Sequence, residues 1–236
     1  MSATAASKPA STRRGVGVYA GLTQERIIEA ARSLDPDELS MQALARELGV
    51  DRKALNHHVS DRETLLALVA MDAFSETFSA VDIGRHASWQ DACRAYALGF
   101  IRSAIATGSL ADHIRLTDSY VTDVLEPTEA VLTKMVAAGF SDEQAMRSLS
   151  LLTNISLGYA RDAVLRAKSG VAPRAVILRG ALERRDRADY PTLSRIADLP
   201  VTTYDDHQLH LSINIFVAGA ERQLSAAETE GLSSSG

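Results

Sequence analysis

An all-α fold, with a head of short helices and a body of longer ones, is what the 236 residues predict, and three observations carry it. Apolar residues recur three and four apart through most of the chain, the spacing that lines one face of a helix. A Ser, Thr or Asp precedes most of these runs, where its side chain can accept from free amides of the first turn. Glycines stand where runs stop, at Gly49, Gly108 and Gly139.

Thr23 opens the first helix, whose Ile27, Ile28, Ala31 and Leu34 share a face, and Asp35-Pro36-Asp37 breaks it. Ser40 caps a second, short helix with Leu44, Ala45 and Leu48 on its apolar side, stopped by Gly49. After the Gly49-Val50 turn, Asp51 caps a third helix in which Leu55 and Val59 point inward. Arg52, Lys53, Asn56 and His57 then face outward. Asp61 begins a fourth helix that runs through Leu66, Leu68, Val69 and Phe74 toward Phe78, joining head to body.

Ser88 caps a helix from Trp89 to about Ile105, followed by a loop-like run after Gly108. A helix around Val124 to Ala138 carries Pro127 near its start. Ser141 starts a long helix reaching Lys168, and a final helix runs from about Asp206 to Ser225. Between these, Val171 to Arg187 carries Arg174, Arg179, Arg184, Arg185 and Arg187 and reads either as a surface helix or as a connection.

Composition narrows the classes. With 46% hydrophobic and 23% charged residues the chain is an ordinary core-forming one. No apolar run approaches the roughly 18 residues of a membrane-spanning helix. Cys93 stands alone, so no internal disulfide or cysteine-rich zinc cage can form, and a reducing cytoplasm is the expected compartment. A net charge of -5 argues against indiscriminate nucleic-acid binding, yet it hides an asymmetry. Up to Ser60 there are 8 Lys and Arg against 7 Asp and Glu, and beyond it 17 against 23. Residues 1–20 hold Lys8, Arg13 and Arg14 without an acid and read as a flexible basic arm, and 227–236 as a flexible tail.

Two short helices about a glycine turn, the second with a polar and basic face, form a helix-turn-helix pattern. The major groove of DNA, about 12 Å wide, admits one helix whose side chains reach base edges while neighbours hold phosphates. The same spacing also fits a solvated helix pair inside an ordinary bundle.

The stretch from Leu39 to Leu66, LSMQALARELGVDRKALNHHVSDRETLL, resembles the DNA-binding head of the tetracycline-repressor (TetR) family of bacterial regulators. It departs from that family at Asn56, where a tyrosine is usual. The resemblance implies that Gln42 reaches a base and that Arg52, Lys53, Ala54, Asn56 and His57 line the groove-facing side. It implies His58 and Arg62 at phosphates, although His57 and His58 are also the kind of residue that packs. The partner would be double-stranded operator DNA.

The stretch GFSDEQAMRSLSLLTNISLGYAR, from Gly139 to Arg161, together with Tyr190-Pro191-Thr192-Leu193 and the final helix, is similar to the family's C-terminal domains. The implied organisation is a three-helix DNA-binding head over 21–66 and a helical ligand-binding and dimerisation domain over 67–226. A homodimer would form through a four-helix bundle of Ser141 to Lys168 and Asp206 to Ser225 from each subunit. The spacing of Leu209, Ile213, Phe216 and Val217 fits such a face, which is the reading preferred over a core helix of one chain. Such bodies enclose a pocket, and Trp89, Tyr96, Phe100, His113, Asn154 and Tyr159 are its candidate lining, for a mainly apolar or planar inducer.

No cofactor and no metal are expected. His113 beside Asp112 lacks visible further ligands, and His207 and His210, three apart, follow aspartates that read as helix caps. There is no Gly-x-Ser-x-Gly elbow, phosphate-cradling loop or His-Glu-x-x-His, so an α-helical enzyme is the weakest alternative. A helical interaction scaffold without DNA binding is the other. The expectation is a repressor released from its operator by a small molecule.

Overall fold

The computed structural model describes residues 21–115, 122, 124–170, 173–199, 203 and 205–233. Its helices are α1 (Gln24–Arg32), α2 (Met41–Glu47), α3 (Arg52–Leu55), α4 (Arg62–Phe78), α5 (Trp89–Ala106) and α6 (Leu125–Ala137). They are followed by α7 (Asp142–Ser169), α8 (Pro173–Glu183), α9 (Pro191–Ala197) and α10 (Asp206–Ser233). There is no strand among the described residues. None of the helices, among those residues, is long and apolar enough to cross a membrane.

The capping residues act as their chemistry dictates. Ser40 accepts from the Ala43 amide at 3.2 Å and Asp61 from Thr64 at 2.8 Å, while Ser141 and Gln144 satisfy each other's amides at 3.2 and 2.9 Å. At the end of α2, Gly49 takes φ +65°, which lets its amide reach the Arg46 carbonyl at 3.1 Å and that of Val50 reach Ala45 at 3.0 Å. This turn sets the angle between α2 and α3.

Several boundaries differ from the sequence reading. The third helix closes after four residues, its turns continuing to Val59 as the His58 and Val59 amides donate to the Leu55 carbonyl at 2.9 and 3.0 Å. The loop-like run after Gly108 is a 3-10 turn, Gly108–His113. The arginine-rich segment contains α8, and Arg187 grips both Asp198 carboxylate oxygens at 3.0 and 2.9 Å. α10 runs to Ser233 rather than Ser225, because the Ala- and Glu-rich end keeps helix propensity high, so helix occupies most of the expected tail. The basic arm expected over 1–20 lies outside the described residues.

The two cores are chemically unlike. In the head, Ile27, Leu39, Leu44, Leu55 and Leu65 are sealed, and no Phe, Tyr or Trp occurs between Gly21 and Leu66. In the body, Phe74, Phe78, Tyr96 and Phe100 form a ring cluster, with Phe74 and Phe100 centroids 4.8 Å apart and Phe78 edge-on to Tyr96 at 5.2 Å. α5 is the central post, packed by α4, α6, α7 and α10. Gly99 on α5 lets Val81 approach so closely that a Cβ there would stand 2.8 Å from both valine methyls.

Candidate functional site

The head presents a polar face built by its own core. Leu44 and Ala45 on α2 and Leu55 and Val59 around α3 are buried, which turns Gln42, Arg52, Lys53, Asn56, His57 and His58 to solvent. Ala54 is partly exposed between them. No ion pair with a described residue engages Arg52 or Lys53, so two permanent charges are left on that face. His57 and His58 are exposed, so neither packs into the core. Arg62 differs from expectation in part: its Nε donates to the Leu39 carbonyl at 2.8 Å, so it braces the head's own loop. Asp61, next to it, has its carboxyl held below the usual range, first by the Thr64 amide and then by the Ser60 and Thr64 hydroxyls.

Glu63, one residue further along α4, ties head to body. Its Oε1 accepts from Arg115 at 3.0 Å and stands 3.8 Å from His113 Nδ1. The sequence reading singled out none of Glu63, Arg115 and Arg161. Arg115 bonds Glu63 from 52 residues away, and Arg161 donates to the Ile114 carbonyl from 47 residues away, so no local spacing signals either contact.

The six candidate pocket residues do not converge on one point. Tyr96 and Phe100 lie in the ring cluster, Phe100 fully enclosed and Tyr96 sharing a hydrogen bond with Thr153 at 3.3 Å. Burial pushes the Tyr96 phenol up, opposed by hydrogen bonds from Thr153 and Thr128. Trp89 sits apart, edge-on to Phe140 at 4.9 Å. Asn154 and Tyr159 line a groove of about 300 Å³ between α7 and α10, with Gln208 and Ser212 opposite. Tyr159 is raised by burial and then by Asp206 and Asp205. His113 belongs to the head–body junction. Among the described residues no group of three or more His, Cys, Asp and Glu could hold a metal ion, and His207 and His210 are exposed.

Leu209, Ile213, Phe216 and Val217 are buried in their own chain, which corrects their assignment to an intersubunit face. α10 has a second apolar stripe, four apart and away from its core face, with Leu211 at 43% and Ile215 at 64% exposure, and α7 exposes Leu151 at 54%. Spacing alone does not rank two stripes of one helix.

The tetracyclin repressor-like C-terminal domain family matches residues 85–224. An HTH-type transcriptional regulator of Saccharopolyspora erythraea is 28% identical over 179 residues, covering 73% of this chain and 74% of that protein. The Streptomyces coelicolor TetR family protein ActR, solved with actinorhodin, is 26% identical with a TM-score of 0.67, covering 88% of this chain and 99% of its own. A TetR variant from Acinetobacter baumannii, solved with minocycline, shares the fold at a TM-score of 0.55 and 18% identity, covering 86% and 99%.

Proposed function

The chain belongs to the TetR family of helix-turn-helix transcriptional regulators, and from that premise we propose that it represses by binding a palindromic operator as a homodimer and is released by a small molecule. The family is one of regulators, not enzymes.

One observation carries the DNA reading: Gln42, Arg52, Lys53, Asn56 and His57 share an exposed face with unpaired positive charge. Lys53 and Arg52 supply phosphate attraction, while Gln42 and Asn56 have the paired donor and acceptor that an adenine edge matches. A single head contacts too little DNA for a specific site, and a two-fold pair matches a palindrome. The exposed Leu211 and Ile215 of α10 and Leu151 of α7 support the pairing, since large apolar residues left exposed on two long helices favour cover by a second copy.

The ligand reading draws on ActR with actinorhodin and TetR with minocycline, both regulators that hold small organic molecules. Its lever is α4, which carries Arg62 and Glu63 at the head and Phe74 and Phe78 in the body core.

The test is a gel-shift titration at stated salt against DNA flanking the gene, alone and with a compound panel. Tight binding competed only by a short palindrome, and lost with one compound, is the expected result. Absence of sequence-selective binding overturns it in favour of the scaffold reading.

A further inference from the structure

Arg161 on α7 is a partly buried guanidinium that no carboxylate of the described residues reaches. Its one hydrogen bond runs from Nη2 to the Ile114 carbonyl at 3.5 Å, the outer limit of such a bond. Its Nε is enclosed without a hydrogen-bond partner, and so is His113 Nδ1, on the residue preceding Ile114; that Nδ1 stands 3.8 Å from Glu63 Oε1, beyond hydrogen-bond reach. No other enclosed side-chain nitrogen or oxygen among the described residues lacks a partner. Two orphans at one junction are not scatter, because buried polar atoms are almost always paired. A guanidinium also cannot shed its charge to escape the cost of burial.

We propose that Arg161 and His113 receive a carboxylate of the small-molecule ligand, which makes that ligand an organic acid rather than a neutral apolar compound. The proposal rests on the ligand-released reading above and names its ligand class. Nε and a terminal nitrogen of Arg161 form the planar two-donor edge that a carboxylate fits. His113 adds a third donor when its Nδ1 carries a proton. The same short segment holds Glu63 through Arg115, so an anion seated there draws on the contacts of the first turn of α4, beside Arg62. Charge at the ligand thereby reaches the DNA-binding head through two side chains.

The experiment uses the full chain with benzoate, 2-naphthoate and anthraquinone-2-carboxylate, each paired with its neutral amide, in thermal-shift and operator gel-shift titrations. At least one acid is expected to bind about tenfold more tightly than its amide, as charge-assisted bonds exceed neutral ones. Arg161→Met abolishes that preference, and Arg161→Lys, which keeps the charge but not the fork, retains it in weakened form. Without ligand, Arg161→Met melts at or above the native temperature, because it removes an uncompensated charge. Equal response to acid and amide, including none to either, overturns the proposal. So does an acid preference that survives Arg161→Met, or a ligand-free melting point lowered by several degrees in both variants. Release of operator by neutral compounds alone keeps the regulator and removes the acid site. Acid preference in the melts without operator binding does the reverse.

Discussion

Arg32 of α1 donates from Nε to Asp72 Oδ2 of α4 at 2.8 Å, with Glu76 taking Nη2 at 3.0 Å. The first head helix is thus clamped to the helix that enters the body. Both sides are partly solvated, so the pair is worth about 0.5–1 kcal/mol. Asp72→Ala should lower the melting temperature by about 1–4 °C. Amide exchange should accelerate in α1 ahead of α5, and unchanged α1 exchange would show that packing alone holds the clamp.

Lys53 and Arg62 should behave differently when truncated. Lys53→Ala leaves folding untouched, weakens binding to all DNA sequences and reduces the salt slope by about one. Arg62→Ala also loses the bond to the Leu39 carbonyl, so it lowers thermal stability along with affinity. Salt titrations and melts of both variants check this. Identical melting points for the two would remove the bracing role of Arg62.

The Gly99–Val81 contact is tight enough to test by one carbon. Gly99→Ala gains about 1 kcal/mol of helix propensity but loses about 1–3 to overpacking against the valine methyls. A fall of up to about 8 °C is expected, recovered when Val81→Ala is added. Failure of the second substitution to recover stability would place the strain elsewhere.

Much of this was legible in the sequence because caps and stops are local. Thr23, Ser40, Asp51, Asp61, Ser88 and Ser141 each bond the amide expected of a cap, and Gly49 and Gly139 end their helices in the left-handed region. The resemblance over Leu39 to Leu66 located the polar face for the same reason, since its residues are consecutive. What was hidden depends on distant partners. The bond from Arg62 to Leu39 crosses the helix-turn-helix, and α10 offers two apolar stripes whose roles only packing separates. The six pocket candidates stand out only by residue type, and type does not fix which helix face meets a cavity.

Burial pushes the Cys93 thiol from 9.0 up to about 12, with Arg94 opposing slightly. Such a thiol is protonated and enclosed at neutral pH, so a thiol reagent should react only as the protein unfolds. The folded state holds the proton more tightly than the unfolded one. This contribution to stability is complete below pH 9.0 and is lost as pH rises toward about 12. Cys93→Ala should lessen the alkaline loss of stability in that window. An equal loss in both proteins would assign it to other groups.

The outer stripe of α10 gives a direct test of assembly. Ile215→Asp puts a charge where the exposed side chain would be covered by a second subunit, and dimer affinity should fall by at least about tenfold. Sedimentation should then find monomer with native helix content. A dimer that survives the change must use another surface, such as the exposed Val176 and Ile177 of α8.

The aromatic-free core of the head makes it silent to half of optical spectroscopy. Near-ultraviolet dichroism and intrinsic fluorescence arise from rings, and between Gly21 and Leu66 there are none. Apart from Tyr19, which precedes the head, those signals watch the body, with Trp89 as the lone indole, while the amide band sums every helix. Two melting curves from one cuvette therefore view different parts of the same molecule. A gap between them measures how far the head lets go before the body does, and operator DNA would close that gap by holding the head alone.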